Sequence, residues 1–232
     1  MGVDKTQVGG IFDLISKRYD FLNHFLSLNI DKFWRRKTVN QLSSPKDKVL
    51  DIATGTCDLA IEVLKQNKAK KIIGIDLSQG MLEIGQKKID KLNLNNQITL
   101  RIEDCHNLSF EDNSFDAALV GFGVRNFRDL DKGLSEINRV LKPGGEFIIL
   151  EFSKIKYPII SFFYGIYLNH LLPTIGKAIS KHNIAYTYLP KSIGEFPSGQ
   201  DFLERLNKAG FKDASYKELT FGIVTIYKSI KK

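Results

Sequence analysis

Two short apolar runs separated by a helical pattern occupy the segment from Val49 to Asp76, and this order constrains the fold more than any other part of the chain. The first run stops at Thr54-Gly55-Thr56 and the second stops at Asp76. Between them, apolar residues recur at the spacing of an amphipathic helix. An acid at the end of a second strand, about twenty residues beyond a tight glycine turn, is placed to bind the hydroxyls of a ribose. The segment therefore predicts a strand–helix–strand unit that binds the adenosine part of a cofactor.

The turn after the first strand discriminates among adenosine cofactors. Dinucleotide sites use Gly-x-Gly-x-x-Gly, and P-loops end in Gly-Lys-Ser/Thr. Only Gly55 remains of the first pattern here, and the second is missing. S-adenosylmethionine has no phosphate, and it needs one close backbone approach for its amino-acid part and an acid for its ribose. We expect Asp51, Gly55 and Asp76 to supply these contacts; the alternative is an ordinary βα turn that binds no ligand.

Length limits the number of domains, and cysteine usage indicates the compartment. At 232 residues the chain has the length of one doubly wound domain, with or without an elaboration. Its two cysteines, Cys57 and Cys105, lack the spacing of a disulfide framework or a zinc site, so no metal is expected and a reducing cytoplasm fits. The first residues lack the apolar core of a signal peptide.

The net charge of +8 favours an anionic partner, either nucleic acid or lipid headgroups. A diffuse lysine-rich surface is the alternative explanation. Arginines interleaved with aromatic residues, as in RNA-binding proteins, are not visible. The basic clusters at 32–37 and 177–181 stand out from the diffuse charge. We therefore expect no nucleic acid partner, and an anionic membrane surface stays open.

The periodic segments predict an α/β fold with a parallel, Rossmann-like sheet. A terminal strand hairpin added to such a sheet is the arrangement of class I S-adenosylmethionine-dependent methyltransferases. Strands are expected at 48–53, 71–76, 98–103, 115–121, 145–152, 213–219 and 222–229, and helices at 57–66, 79–91, 129–141 and 199–209. The sheet would have seven strands, mostly parallel, with an antiparallel last strand. One domain spanning 1–232 would comprise an N-terminal helical substrate cap (1–45), a cofactor-binding core (46–153), a helical lid insertion (154–195) and a C-terminal helix with a strand hairpin (196–232).

The lid prediction rests on an apolar, aromatic stretch between Tyr157 and Ser180. It is too short and too interrupted for a membrane span. Together with Trp34 and its basic neighbours, it would form a face that touches an anionic bilayer. The alternative is a helix packed in the core.

Four motifs spread over nearly the whole chain carry a family resemblance. They comprise residues 17–27 with the aromatic-basic cluster at 33–36, residues 51–56, residues 122–126 with 139–145, and residues 172–173 with 185–193. Together they resemble the C-methyltransferases of ubiquinone and menaquinone biosynthesis. The chain departs from the family at Cys57, Gly121 and Asn29, where a small residue such as Gly or Ala, a Ser and a Gly are usual.

The resemblance implies methyl transfer from S-adenosylmethionine to a ring carbon of a polyprenylated quinol. The expected reaction converts demethylmenaquinol to menaquinol, and the ubiquinone-pathway benzoquinol is a further acceptor left open. The enzyme would be cytoplasmic or peripheral at the inner face of the cytoplasmic membrane, with a homo-oligomer left open. The alternative is another small-molecule or nucleic-acid methyltransferase of the same fold, although residues 121–126 lack the Asn/Asp-Pro-Pro-Tyr or catalytic Cys motif typical of nucleic-acid enzymes.

Four residues match the family's cofactor positions, namely Thr56, Asp76, Asp104 and Cys105. Asp76 would bind the ribose hydroxyls, and Asp104 with Cys105 would meet the adenine at the end of the third strand. A strand-end cap is the alternative for Asp104. Asp51 would orient the methionine part of the cofactor.

Three residues are the catalytic candidates. Arg125 and Asn126 follow the fourth strand, at the end of the sheet where open α/β folds place their chemistry. Arg125 would stabilise phenolate charge or lower the pKa of a neighbouring Tyr or water, and Tyr19 would relay a proton. The alternative is that Tyr19 packs a helix and Arg125 makes a structural salt bridge. His24 and His170 are weaker candidates for a general base.

Overall fold

A seven-stranded sheet forms the centre of the protein in the computed structural model, which describes residues 8–167 and 184–232. Its strands are β1 (Lys46–Ile52), β2 (Ala69–Asp76), β3 (Ile98–Ile102), β4 (Phe115–Gly121), β5 (Leu141–Phe152), β6 (Phe211–Leu219) and β7 (Val224–Lys231). Their spatial order is β3-β2-β1-β4-β5-β7-β6. The first five strands are parallel, whereas β7 is antiparallel to both of its neighbours, β5 and β6. The predicted mostly parallel sheet with an antiparallel last strand is confirmed.

Eight α-helices are described around this sheet. They are α1 (Val8–Leu26), α2 (Ile30–Val39), α3 (Asp58–Lys65), α4 (Gln79–Lys91), α5 (Leu130–Val140), α6 (Pro158–Ile166), α7 (Ile184–Glu195) and α8 (Gln200–Lys208). The predicted lid corresponds to α6 and α7, and the residues between 168 and 183, including His170, the 172–173 motif and the 177–181 basic cluster, lie outside the described residues.

The sheet is buried on both faces because its strands present apolar side chains in both directions. Leu50 and Ile52 pack on one side in a core cluster shared with α5 and α8. Val49 packs on the other side, in a cluster shared with α2 and α3. Each fully buried aliphatic side chain of this kind stabilises the fold by roughly 1.5–3 kcal/mol. Burial on both faces is typical of parallel sheets, so the polar groups that carry chemistry are left to the strand ends.

The connection from α5 to β5 differs from the prediction. We expected the strand to start at 145, but Leu141 already pairs with Phe115. The next pair joins Glu146 to Ala117, so the residues between Leu141 and Glu146 form a bulge. Gly144 has a φ of +77°, which favours glycine at this position.

Trp34 lies in the core rather than on the surface, so its predicted place on a bilayer-facing surface is wrong. Its side chain is only 4% exposed and packs near Phe122 and Phe152. The indole N–H donates a hydrogen bond to Oγ1 of Thr220 at 2.8 Å, which fastens α2 to the turn between β6 and β7. The neighbouring Phe33 is the exposed aromatic residue, at 46%.

A buried carboxylate on β5 fastens the segment before β1 to the sheet. Glu146 accepts hydrogen bonds from the backbone N–H and the hydroxyl of Ser43 at 3.2 and 3.0 Å. It also pairs with Lys46 at 2.7 Å and with Lys228 at 2.6 Å. Burial alone would raise the pKa of this carboxyl, but the two lysines and the Ser43 N–H outweigh burial and lower the pKa to about 2.

We expect Glu146→Gln to lower the free energy of unfolding by roughly 2–3 kcal/mol near neutral pH. The folded pKa of Glu146 lies below the ordinary value of 4.5, so its stabilisation is complete above that value and is lost as the pH falls toward about 2. Urea unfolding at several pH values checks this, with Glu83→Gln on the exposed side of α4 as the control. A difference between wild type and Glu146→Gln that stays constant from about pH 7 to about pH 3 would contradict the assignment.

Candidate functional site

The turn after β1 has an unusual backbone that brings one amide close to the end of β2. Gly55 has a φ of +55°, in the left-handed region that favours glycine, and Ala53 has a φ of +51°. A Cβ placed on Gly55 would meet no atom within 4 Å, so the space beside its Cα is open. Non-glycine residues with positive φ cluster at functional sites, where the surrounding structure holds them.

Asp76 is joined to this turn through its carboxylate. The backbone N–H of Gly55 donates to Oδ2 at 2.8 Å, and the N–H of Ser78 donates to Oδ1 at 2.9 Å. Burial raises the pKa of Asp76, and the backbone N–H donors only partly offset this. Each carboxylate oxygen has two lone pairs, so after these bonds Asp76 still has capacity to accept from two hydroxyls.

A cavity of about 250 Å³ lies at the carboxyl ends of β1, β2 and β4. Most of the predicted site residues line it, namely Tyr19, Gly55, Asp76, Asp104, Cys105 and Asn126. Ile75, Leu77 and Phe127 add apolar wall. The other three predicted residues, Asp51, Thr56 and Arg125, are not among its lining residues.

Helix α1 forms a roof over the cavity. Gly9, Phe12 and Tyr19 reach the cavity from this helix. Oδ1 of Asp13 accepts hydrogen bonds from the hydroxyl of Ser78 at 2.5 Å and from the backbone N–H of Gly80 at 2.9 Å. These bonds dock α1 on the first turn of α4.

Asp104 and Cys105 lie side by side at the end of β3. Oδ1 of Asp104 accepts a hydrogen bond from the backbone N–H of His106 at 2.9 Å and another from the His106 ring. Burial raises the pKa of Asp104, but the two His106 donors outweigh it and the pKa is lowered. Burial raises the pKa of the Cys105 thiol to about 12, so the group is a neutral thiol at physiological pH. Asp104 is thus an anion, and Cys105 beside it is a neutral thiol.

Asp51 lies behind the turn and is only 1% exposed. Burial raises its pKa to about 7, although the Thr54 hydroxyl and the backbone N–H of Ala60 partly offset this. Thr54 donates to Oδ2 at 2.6 Å, while the buried Oδ1 makes no hydrogen bond within the part of the chain that the structure describes. Asp51 therefore fixes the turn and retains acceptor capacity.

Thr56 belongs to a polar network that connects the cap to the core. Its hydroxyl donates to Oδ1 of Asp20 on α1 at 2.5 Å and accepts from Lys88 on α4 at 3.0 Å. Lys88 also pairs with Asp20 at 2.7 Å and with Asp58 at 2.6 Å. The Thr56 side chain therefore holds the turn against the two helices.

Arg125 makes a salt bridge, which is the structural role given above as the alternative to catalysis. Its guanidinium is 2.7 Å from Oε1 of Glu151 and donates to the carbonyl of Phe122 at 2.5 Å and to Ser192 on α7 at 3.3 Å. The adjacent Asn126 reaches the cavity, and its Oδ1 accepts from the hydroxyl of Tyr188 at 3.0 Å.

His24 is engaged away from the cavity. Its Nδ1 lies 2.8 Å from Asp31, and its Nε2 lies 3.7 Å from Asp58. Arg35 pairs with the same two carboxylates. His24 is thus part of the network that connects α1 and α2 to α3.

Phe122 lines the cavity, although the sequence places it only within the motif at 122–126 and predicts no role for it. It has a φ of +60°, and its ring lies 4.7 Å from that of Phe152 and 6.2 Å from that of Trp34. The guanidinium of Arg35 lies 5.7 Å from the ring centroid. A Cβ on the following Gly123 would lie 2.6 Å from Cβ of Ala53, so only glycine lets the end of β4 approach the β1 turn this closely.

The donor set fits S-adenosylmethionine. Asp76 offers an oriented carboxylate for a ribose, and Gly55 offers one close backbone approach. At the end of β3, Asp104 offers a carboxylate to the adenine base, and the apolar wall of the cavity offers it nonpolar contacts. A fold of this order with such a crevice defines a class I S-adenosylmethionine-dependent methyltransferase.

Solved structures of the same fold agree with this class. The crystal structure of the [4+2]-cyclase SpnF superposes with a TM-score of 0.71 at 18% identity, covering 99% of this chain and 97% of that chain. A methyltransferase from Aquifex aeolicus that depends on S-adenosylmethionine superposes with a TM-score of 0.61 at 18% identity, covering 88% and 93%. Similarity at this identity establishes the fold, and the cyclase illustrates that one fold hosts several chemistries.

Sequence comparison identifies the family. The model of the ubiE/COQ5 methyltransferase family matches residues 1–231. A Bacteroides fragilis protein named demethylmenaquinone methyltransferase is 45% identical over 232 residues, covering 99% of this chain and 94% of the relative. A Geobacter sp. (strain M21) protein named ubiquinone/menaquinone biosynthesis C-methyltransferase UbiE is 43% identical over 227 residues, covering 97% and 96%. The chain belongs to the ubiE/COQ5 methyltransferase family, and its methyl donor is S-adenosylmethionine.

We expect Asp76→Asn to weaken binding of S-adenosylhomocysteine by about ten- to a hundredfold. Both carboxylate oxygens accept backbone N–H bonds, so an amide must leave one of these donors unpaired or lose its acceptor for the ribose. Isothermal titration calorimetry measures the affinity, with Asp90→Asn on the exposed side of α4 as the control. Wild-type affinity in a folded Asp76→Asn protein would remove Asp76 from the ribose site.

Proposed function

We propose that this enzyme transfers the methyl group of S-adenosylmethionine to a ring carbon of a polyprenylated quinol and so converts demethylmenaquinol to menaquinol. The full-length relationship to the Bacteroides fragilis demethylmenaquinone methyltransferase carries this proposal. The ubiquinone-pathway benzoquinol is a second candidate acceptor, because the Geobacter relative is named for both quinones.

The reaction demands that a carbon atom act as the nucleophile. Loss of the proton from a ring hydroxyl moves electron density onto the adjacent ring carbon. When bound, S-adenosylmethionine supplies a methyl group on a positively charged sulfur. The methylated ring carbon then loses its own hydrogen as a proton, and the ring oxygen regains one, so that the aromatic quinol is restored with one net proton released. The chain itself must therefore relay this proton, hold the ring in line and exclude water, and orientation of this kind supplies much of the rate.

Tyr19 is the residue to which we assign the proton relay. It reaches the cavity from α1, and burial raises the pKa of its phenol. A hydrogen bond with Asn23 and the charges of Arg35 and Arg125 oppose that rise. A neutral phenol both donates and accepts a hydrogen bond, so Tyr19 can pass a proton between the acceptor hydroxyl and water.

Arg125 and Asn126 act in different ways in this proposal. The guanidinium of Arg125 is bound to Glu151, so its contribution is a positive charge that opposes the rise of the Tyr19 and Tyr164 pKa values caused by burial. Oδ1 of Asn126 is held by the Tyr188 hydroxyl, and we assign its Nδ2 the role of donating to an acceptor oxygen. In this proposal Arg125 stabilises phenolate charge through its electrostatic field and not by direct contact.

Phe122 provides the wall for the acceptor ring. Its side chain is fixed by Trp34 and Phe152, and it lines the same cavity as Tyr19 and Asn126. Offset stacking of a planar ring on a fixed aromatic side chain contributes about 0.5–1.5 kcal/mol beyond area burial. The strained backbone of Phe122 persists because the surrounding contacts hold it, as expected where geometry matters for chemistry.

The prenyl tail is assigned to α6. Tyr164 and Tyr167 stack with ring centroids 5.9 Å apart, and both are half-buried. Burial raises the pKa of Tyr164 and the charge of Arg125 opposes this rise, which supports the assignment of α6 to the neighbourhood of Arg125. The side chain of Phe163, which precedes Tyr164 on this helix, lies outside the described set.

We expect label from S-adenosylmethionine to enter chemically reduced demethylmenaquinol in the presence of the enzyme. A 2-polyprenyl-6-methoxy-benzoquinol offered in parallel tests the second acceptor. Label in the naphthoquinol alone supports a menaquinone enzyme, and label in both supports a dual acceptor range. If neither acceptor is labelled while the cofactor binds, the quinol proposal fails.

The same assay separates the roles of the site residues. Tyr19→Phe keeps the ring that packs edge-on with Phe12 at 5.9 Å and removes only the hydroxyl. We expect a fall in kcat of about a hundredfold with unchanged S-adenosylhomocysteine affinity. Tyr216→Phe, which removes the hydroxyl of a tyrosine on β6 that does not line the cavity, is the matched control. Full turnover by Tyr19→Phe would exclude the relay.

Membrane association is the remaining part of the proposal. In the described residues, the helices are too short or too polar to cross a membrane. The outer side of α6 exposes Ile159, Phe162 and Ile166 at 75%, 65% and 45%. On α2, exposed Phe33 lies beside Lys37, whose Nζ is 5.5 Å from the ring centroid. Apolar side chains next to basic ones match the requirements of an anionic bilayer surface, where a quinol with a long tail would be found.

We expect the protein to float with vesicles that contain phosphatidylglycerol and not with vesicles of phosphatidylcholine alone. Ile159→Gln combined with Phe33→Gln should reduce flotation about tenfold, because each substitution removes one apolar side chain that would be buried in the bilayer surface. Leu92→Gln, at a residue that is 45% exposed after α4, is the matched control. Equal flotation of all three proteins would exclude this surface.

A further inference from the structure

His106 is a buried residue at the cavity that the proposed chemistry does not use. It is only 4% exposed and lines the cavity with Asp104. Its ring packs edge-on against Phe127, with centroids 5.9 Å apart. Buried imidazoles are usually hydrogen-bonded at both nitrogens, so the partners define the role.

The two ring nitrogens of His106 have different partners. Nε2 accepts a hydrogen bond from the backbone N–H of Asp129, the N-cap residue of α5, at 3.1 Å. A nitrogen that accepts carries no proton, so we assign the neutral tautomer with the proton on Nδ1. Nδ1–H then donates to Oδ1 of Asp104. The ring is thus a rigid connection between α5 and the acid at the end of β3.

The consequence for Asp104 is that its two oxygens become unequal. Oδ1 receives both the backbone N–H and the ring N–H of His106. Oδ2 has Arg128 as its nearest cationic neighbour, at 3.9 Å, and the Arg128 side chain is 54% exposed. An exposed pair at that distance is weak, so Oδ2 retains acceptor capacity toward the cavity.

We propose that His106 is a positioning residue for cofactor recognition. It holds Asp104 so that Oδ2 accepts a hydrogen bond from the exocyclic amino group of adenine. It thereby sets the preference for adenine over a base that has a carbonyl oxygen at that position. A carbonyl facing a fixed carboxylate places two acceptors together without a proton between them, and such mismatches are penalised strongly in buried sites.

Binding of two ligands without acceptor tests the proposal. The ligands are S-adenosylhomocysteine and its inosine analogue, and the quantity is the ratio of their dissociation constants from calorimetry. The inference rests on S-adenosylmethionine as the donor and not on the quinol. A failure here is therefore distinguishable from a failure of the acceptor assay.

Two substitutions of His106 separate positioning from support. His106→Asn retains a donor near the place of Nδ1, and His106→Gln retains a polar atom near the place of Nε2. We expect His106→Asn to keep the preference for adenine, and His106→Gln to lower that preference about tenfold, mainly through weaker adenine binding. Arg128→Gln, which changes the other neighbour of Asp104, should leave the ratio within about twofold.

The acid itself provides the second test. Asp104→Asn converts one acceptor into a donor, so we expect the preference to shift toward inosine by about tenfold or more. If Asp104→Asn leaves the ratio unchanged, or His106→Gln keeps the wild-type ratio in a folded protein, the proposal is overturned. Equal weakening of both ligands by His106→Gln would also overturn it, since that result marks a purely structural histidine.

Wild-type protein provides a readout that needs no variant. Long-range nitrogen–proton NMR of the His106 ring should show the Nδ1-protonated tautomer. We expect its Nδ1 proton signal to shift on addition of S-adenosylhomocysteine and to shift less with the inosine analogue. An Nε2-protonated ring, or equal shifts with the two ligands, would contradict the proposal even if His106→Gln does not fold.

Discussion

The hydrogen bond from the Gly55 amide to the Asp76 carboxylate joins the ends of two adjacent parallel strands, and the rest of the site is organised around it. The bond requires a left-handed backbone at residue 55, which glycine adopts without strain. It also orients the carboxyl group of Asp76. Burial raises the pKa of this group, so its ionised form depends on the backbone N–H donors. The cavity, the roof formed by α1 and the acids at the ends of β2 and β3 all meet at this point.

A second level of organisation comes from charges that bridge helices. Asp20, Thr56, Lys88 and Asp58 connect α1 and α4 to the turn after β1, and Arg35 continues the network to α2. Partly buried pairs of this kind are costly to break singly, because one charge is then left without its partner. The network thus couples the placement of the cap to the placement of the cofactor turn.

The sequence was sufficient to predict the strands, the mostly parallel sheet with its antiparallel last strand and the residues at the strand ends, because hydrophobic periodicity and glycine turns are local signals. Side-chain partners were not predictable in the same way. Arg125 contacts Glu151, and Trp34 contacts Thr220, only because the tertiary fold brings these residues together. The role of His106 was missed although Asp104-Cys105-His106 are consecutive, since its meaning depends on Asp129 at the start of α5. The assignments of all nine candidate site residues to catalysis or cofactor binding stay predictions.

The docking of α1 on α4 has a consequence for how the enzyme comes into being. The roof of the cavity is built from the first described helix, yet its anchor, the Asp13 contact with Ser78 and Gly80, lies more than sixty positions further along the chain. During synthesis, α1 leaves the ribosome before the strand and helix that hold it exist. The roof closes only after α4 has been made, because the partners of Asp13 are the N-cap residue Ser78 and the first turn of that helix. A growing chain therefore lacks a closed cofactor site until this long-range contact has formed.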